Sequence, residues 1–354
     1  MNLTELSRIL RGLNRRIYML KTAESVSLGH PDKTADYISS YILDRYLEHD
    51  ANVHYAVEVM VKNNTVVLGG EISSTYEPPS FTEYVKQALR EIGYDEKYAV
   101  NWGQNAIDIN KLEVVQLLSC QSTQIAQGIK CDGWGDQGIF VGYACQGEEN
   151  ISCELYLARK LNKALYEKAK QSTNLGLDIK TQITIDENNN ITTAIVAIPM
   201  LKPEDLSSFT AQTLGQIPQN LIINGTGNYL THSSVADCGI TGRKLACDFY
   251  GAAAPIGGGS PWTKDASKAD LSLNLYARHL ALKNLQNYDE VWVYLSSCIG
   301  SSCLPSATLK WRKGKVYGED ILHIEYAKPS VIADKFCLNK PIYAKMCRNG
   351  LFAR

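Results

Sequence analysis

Hydrophobic spacing along the chain switches repeatedly between a helical period and an alternating one. From Asp32, the residues Ala35, Ile38, Ile42 and Tyr46 recur at helical spacing just after the breaker Gly29-His30-Pro31, which predicts a helix starting at about Asp32. Two β-rich runs follow, Tyr55 to Val61 and Thr65 to Ile72, split by the turn signal Asn63-Asn64. A second helix is expected from about Phe81 to Ile92. The same grammar returns with Leu157, Leu161 and Leu165 on one helical face. Strands Thr181 to Ile185 and Ile191 to Ile198 then flank Asn188-Asn189-Asn190, and Lys202-Pro203 opens another helix. A third round has Leu271, Leu275, Leu282 and Leu285 on a helix and a strand from Val291 to Leu295. Thr308 to Trp311 and Val316 to Tyr317 flank Lys313-Gly314, and Lys328-Pro329 precedes the last helix.

The hairpin turns near residues 63, 189 and 314 thus recur at about 125 residues, far longer than a solenoid period. This predicts an α+β fold of three similar units in a pseudo-threefold arrangement. The expected division is an N-terminal basic extension over 1–20, an N-terminal unit over 21–122, a central unit over 133–233 and a C-terminal unit over 234–354. A chain of 354 residues is in any case too long for one ordinary core.

Composition narrows the class. With 45% hydrophobic and 21% charged residues the chain reads as an ordinary globular protein, and a net charge of −1 argues against a broad nucleic-acid surface. No apolar stretch reaches the length of about 20 residues that spans a bilayer. The stretch Leu6 to Leu20 carries Arg8, Arg11, Arg15 and Arg16 but no uninterrupted apolar core, so a cytoplasmic location is expected. The ten cysteines lack regular short spacings and are expected to be reduced and mostly buried. Cys298 and Cys303 are the only close pair and have no histidine at zinc spacing.

Chemistry concentrates between Asp237 and Asp270. There Gly257-Gly258-Gly259-Ser260 can turn backbone amides toward an anion, with Lys264 and Lys268 just beyond. The alternative is internal pairing, since Asp237, Asp248, Asp265 and Asp270 balance Arg243, Lys244, Lys264 and Lys268. The spacing is not that of a Walker motif. Gly133, Gly135 and Gly138 fit G-x-G-x-x-G, but no strand precedes them and Asp136 would face the pyrophosphate, so a dinucleotide site is rejected. The remaining polar connectors, Glu24 to Lys33 and Gln121 to Gly138, are further places for function.

Taken in order, these connectors resemble the S-adenosylmethionine synthetase (methionine adenosyltransferase) family. ESVSLGHPDK is similar to the family's ESVSEGHPDK, VVLGGEIS to its GGE segment, and GDQGIFVGYA to its GDQG signature. DCGITGRK is similar to D-x-G-L-T-G-R-K, GGGSPWTKDASKAD to GGGAFSGKDPTKVD, and the ending from Asn349 to Arg354 more weakly to GHFGR. The resemblance implies that methionine sulfur attacks C5′ of ATP and expels triphosphate, which is then split to phosphate and pyrophosphate. It implies Mg²⁺ on Asp32 and Asp270, K⁺ on Glu58, and a homodimer or homotetramer with active sites between subunits.

By the same resemblance His30, Lys180, Arg243 and Lys264 are catalytic. The nucleotide contacts are Glu24, His30, Asp178, Lys180, Tyr229, Asp237, Arg243, Lys244, Ser260 and Lys264, and methionine is surrounded by Glu71, Gln121, Asp136, Asp237 and Lys268. Leu28 stands where the family has a second glutamate, and Asn228 where it has a phosphate-side arginine. The loop between Gln121 and Asp136 looks shorter than the family's. Those departures admit a non-catalytic or regulatory paralogue that binds nucleotide, or an enzyme with altered nucleophile specificity. On side-chain chemistry alone, Asp32 would cap a helix, Glu58 and Glu71 would be exposed strand residues, and Trp134 and Trp262 would pack or stack on adenine.

Overall fold

The computed structural model describes residues 20–120, 132–324 and 327–352. Its twelve strands form three four-stranded sheets, with orders β4-β3-β2-β9, β1-β6-β7-β8 and β12-β11-β10-β5. In chain order they are β1 (Lys21–Val26), β2 (His54–Lys62), β3 (Thr65–Ser73), β4 (Glu113–Ser119), β5 (Gly138–Cys145) and β6 (Lys180–Ile185). Then come β7 (Ile191–Ala197), β8 (Asn220–Ile223), β9 (Gly239–Ile240), β10 (Glu290–Ser297), β11 (Ala307–Lys313) and β12 (Val316–Ile321). The α+β class and its threefold repetition are as the spacing predicts.

Strand exchange closes the three units into one body. A long helix packs on each sheet: α1 (Pro31–Leu47) on β2, α2 (Cys153–Lys170) on β1 and β6, and α3 (Ala269–Asn284) on β5 and β10. Yet the strand just before each helix belongs to a different sheet. β1 precedes α1 but pairs with β6; β5 precedes α2 but pairs with β10; β9 precedes α3 but pairs with β2. Each sheet is therefore completed by another third of the chain, in a cycle. Sequence spacing misses this because β9 lies inside the charged stretch, β1 runs into the connector from Glu24, and β5 starts only where the connector from Gln121 ends.

The third hairpin differs from the expectation. The tight turns at Asn63 (φ 52°) and Asn189 (φ 62°) join β2 to β3 and β6 to β7, the strands that follow α1 and α2. The equivalent pair after α3 is β10–β11, joined by the loop 298–306, whereas Gly314 (φ 58°) turns β11 into β12. The reason is visible in strand direction. β4 and β8 return through the helices Phe81–Ile92 and Ser207–Leu214 and run parallel to their neighbours, while β12 returns through a tight turn and must run antiparallel. Two further corrections are local. The helix after Lys202-Pro203 starts only at Ser207, and Pro329–Phe336 is followed by a last helix, Tyr343–Asn349.

Every residue of α1 except Arg45 is buried, so this helix is the axis of the molecule. Its Ala35, Ile38, Ile42 and Leu43 have no exposed surface, and burying each large aliphatic side chain contributes about 1.5–3 kcal/mol. The charged residues it takes inside, Asp32, Lys33, Asp36 and Asp44, must all find partners. Asp44 caps the last helix by accepting from the Tyr343 and Ala344 amides, at 2.9 and 2.8 Å. The other three define the site described next.

Candidate active site

His30 caps α1, and its Nδ1 accepts the Asp32 amide at 3.1 Å. That bond leaves the ring proton on Nε2, an assignment made from the hydrogen-bond geometry. Burial, together with the Lys180 and Lys244 charges, pushes the imidazole down to about 3. At neutral pH His30 is thus an uncharged donor in a cationic setting.

One turn apart on α1, Asp32 and Asp36 hold alternate amides of the segment that enters and follows β9. Asp32 Oδ1 accepts from Ile240 at 2.9 Å and Asp36 Oδ1 from Gly242 at 2.8 Å. The other Asp32 oxygen receives the Lys244 ammonium at 2.5 Å, and Arg243 Nε stands 3.7 Å from Asp32 Oδ1. Burial works against the Asp32 charge, but the Lys244 and Ile240 bonds hold the carboxyl below its ordinary value.

A second ion pair forms between Lys264 and Asp270, at 2.5 Å. The Gly259 amide donates to Asp270 Oδ1 at 2.7 Å, so the triglycine loop already cradles an anion, the protein's own carboxylate. Of the acids and bases in this stretch only Lys264 and Asp270 pair with each other; Arg243 and Lys244 turn to Asp32, and Asp248 to Lys33. Ser260 is buried beside Gly242. Lys268 caps α3, and Lys264 bridges to Ala56 on β2, whose other neighbour in register is Glu71.

Glu58 joins the two clusters. One of its oxygens accepts the Thr241 hydroxyl and the other the Thr263 hydroxyl, at 3.1 Å in the second case. Glu58 is an exposed strand residue, as sequence suggests, and its carboxylate is bound on both sides.

The remaining candidates spread around this centre. Asp178 accepts the Ser233 amide at 3.0 Å, and burial pushes its carboxyl up to about 6. Lys180, two residues on, begins β6, and its charge acts on both His30 and Asp178. Burial raises the Tyr229 hydroxyl, and the Asp178 charge adds to it. Asp237 and Asp136 are exposed and each accept the next residue's amide, at 2.8 Å. Glu24 on β1 accepts from the Cys247 thiol at 3.8 Å. Gln121 and most of the loop before Asp136 lie outside the described residues. Trp134 and Trp262 are fully buried and pack. Of the nine cysteines described, all are free, and only Cys145, Cys247 and Cys347 are buried, fewer than expected. Of the rest, Cys153 starts α2, Cys337 caps the helix Pro329–Phe336, and the others lie in loops.

Sequence reasoning gave no site role to Lys33, Asp36, Thr241 and Thr263, and placed Asp248 only among charges that could pair within its own stretch. Asp36 was detectable, because it follows Asp32 by four residues on the helix that the spacing predicts and so shares its face.

Comparison with known proteins settles the lineage. Family models described as the N-terminal, central and C-terminal domains of S-adenosylmethionine synthetase match residues 18–123, 132–233 and 232–354. The chain belongs to the S-adenosylmethionine synthetase family. It is 32% identical to the S-adenosylmethionine synthase of Pelagibacter ubique, over 95% of this chain and 93% of that one. Identity to the S-adenosylmethionine synthase of Salinibacter ruber is 34%, again over 95% and 93%. Among solved structures it is similar to an unusual S-adenosylmethionine synthetase from Campylobacter jejuni, with a TM-score of 0.82, 32% identity and 95% of both chains covered.

Within this synthetase fold the departures have definite surroundings. Leu28 is buried in the core, and Asn228 spends its amide on the Met200 carbonyl at 2.7 Å. Among the described residues no cluster of three or more His, Cys, Asp or Glu could hold a metal alone, and no helix is long and apolar enough to cross a membrane.

Proposed function

We propose that this chain makes S-adenosylmethionine from ATP and L-methionine and then splits the displaced triphosphate into phosphate and pyrophosphate. The observation that carries this reading is the pair of carboxylate–lysine contacts, Asp32–Lys244 and Asp270–Lys264, tied together through Glu58. A thioether sulfur is neutral and needs no base, so the protein's task is to align it with C5′ and to favour departure of a polyanion. Arg243, Lys244, Lys264 and Lys180 supply the positive charge. At an effective dielectric near 20, a cation about 4 Å from a phosphate charge contributes roughly 4 kcal/mol before desolvation. His30, neutral with its proton on Nε2, can donate to a leaving oxygen without repelling the lysines.

The donor atoms suit the expected cations. Asp32 and Asp270 are single hard carboxylates, each already facing a lysine ammonium that occupies the place of a positive ion. One carboxylate per ion, completed by substrate phosphates, is the usual way to hold Mg²⁺. Magnesium bound there would neutralise charge on the departing polyphosphate. Glu58 with the hydroxyls of Thr241 and Thr263 makes an all-oxygen set fit for K⁺. Glu24, Asp178, Tyr229, Asp237 and Ser260 complete the nucleotide side, and Glu71, Gln121, Asp136, Asp237 and Lys268 the methionine side.

A second copy of the chain is expected to close the site. On the outer face of the first sheet, Ile240, Met60, Val67 and Val115 align across four strands, with Leu117 exposed by 67% beside them. Lys264, Ala56 and Glu71 form a parallel row on that same face. An apolar stripe next to substrate residues supports a homodimer or homotetramer with shared active sites. Free cysteines throughout the described residues suit a cytoplasmic location. Purified protein given ATP, methionine, Mg²⁺ and K⁺ should yield S-adenosylmethionine together with phosphate and pyrophosphate. Nucleotide binding without product would instead mark a non-catalytic paralogue, and phosphate release without S-adenosylmethionine an altered nucleophile.

A further inference from the structure

We infer that Asp36, clamped from behind by Lys33, is a positioning residue that sets the Arg243–Lys244 arm against the departing triphosphate. This inference deepens the synthetase reading and rests on it. Asp36 has no exposed surface, and its two oxygens point to different jobs. Oδ1 accepts the Gly242 amide at 2.8 Å, and Oδ2 accepts the Lys33 ammonium at 3.1 Å. Lys33 also donates to Asp248 Oδ2 at 2.8 Å, and that oxygen receives Trp262 Nε1 at 2.9 Å. The Lys33 nitrogen stands 4.6 Å from the Trp262 ring centroid. One buried lysine thus ties α1 to both arms of the loop system, 241–248 and 260–262.

Three successive residues, 240–242, are pinned by two elements, α1 and β2. The Ile240 amide goes to Asp32, the Thr241 hydroxyl to Glu58, and the Gly242 amide to Asp36. Gly242 takes φ 75°, and a Cβ there would stand 2.8 Å from Ser260 Cβ, so only glycine fits the turn beside the triglycine loop. Arg243 and Lys244 follow at once, and Lys244 reaches Asp32. A displacement of Gly242 therefore moves both cations. Burying two acids around one lysine is a poor route to stability, because such networks are often replaceable by apolar residues at no loss. What this one supplies is the placement of a single amide.

A double-mutant cycle in the full-length enzyme tests the role. Asp36→Asn keeps the volume and an acceptor oxygen for Gly242 but replaces the acceptor that Lys33 clamps with an amide donor. It should lower kcat roughly 30-fold and leave KM for methionine within about threefold. In a Lys244→Ala background the same substitution should cost less than about threefold, since Asp36 acts through that arm. Amide exchange in 240–244 should quicken in Asp36→Asn while protection elsewhere stays as in the parent. Full additivity with Lys244→Ala, unchanged exchange in 240–244, or loss of protection throughout the chain would each overturn the inference. If the parent protein makes no S-adenosylmethionine, the synthetase reading fails and the exchange measurement alone decides the positioning role.

Discussion

The Asp32 carboxylate and the Lys244 ammonium, 212 residues apart in the chain, meet at 2.5 Å at the buried start of α1. Asp32→Asn removes the charge that Lys244 answers while leaving an oxygen for the Ile240 amide. S-adenosylmethionine formation should fall by about two orders of magnitude or more, and half-maximal activity should require more Mg²⁺. A magnesium titration of wild type and variant checks this; an unchanged requirement would remove Asp32 from the ion's ligands.

Lys264 and Asp270 are only partly buried, so their substitution should spare the fold. Lys264→Ala or Asp270→Asn is expected to reduce kcat roughly 10²–10³-fold, as for groups that act on charge in the transition state. Product assays beside thermal melts provide the check, and wild-type turnover in either variant would refute the assignment.

His232 gives a pH prediction. Its Nδ1 faces the Leu230 carbonyl at 2.7 Å and its Nε2 the Tyr98 hydroxyl at 2.5 Å, an arrangement suited to the neutral ring. Burial lowers its folded value to about 4 from the usual 6.5. Between those values the unfolded chain binds a proton that the folded chain refuses, so acidification costs stability. Wild type should therefore lose stability on acidification through that window more steeply than His232→Leu, by about 1.4 kcal/mol per pH unit at most. Denaturant melts at several pH values would reveal parallel curves if the idea is wrong.

Gly142 on β5 marks a close approach of sheet and α3. A Cβ there would lie 2.1 Å from the Ala277 carbonyl carbon. Gly142→Ala should destabilise the protein by about 1–3 kcal/mol through overpacking, read as a lower melting temperature.

Leu117 probes the outer face of the first sheet. Leu117→Glu should convert the proposed oligomer to monomer in analytical ultracentrifugation and reduce turnover with it, because the charged side chain would enter the apolar stripe. An unaltered sedimentation profile would place the interface elsewhere.

Amphipathic spacing and turn residues were enough to reveal the three long helices, two of the three equivalent hairpins and the threefold plan. The motif residues His30, Asp32, Arg243, Lys244, Lys264 and Asp270 were marked by the resemblance of their segments to the family, whereas side-chain chemistry alone makes Asp32 no more than a helix cap. Strand exchange was not legible: β1, β5 and β9 pair with strands distant in the chain, and pairing across such separations leaves no local period. The third hairpin was misplaced because Lys313-Gly314 is a stronger turn signal than the loop 298–306. Which charge meets which was likewise a tertiary decision. Sequence balanced Asp237, Asp248, Asp265 and Asp270 against the neighbouring bases, yet a helix from the other end of the chain takes Arg243, Lys244 and Asp248. Local order follows from backbone preferences over a few residues, whereas a buried carboxylate accepts whichever donor the packing of α1 brings within reach.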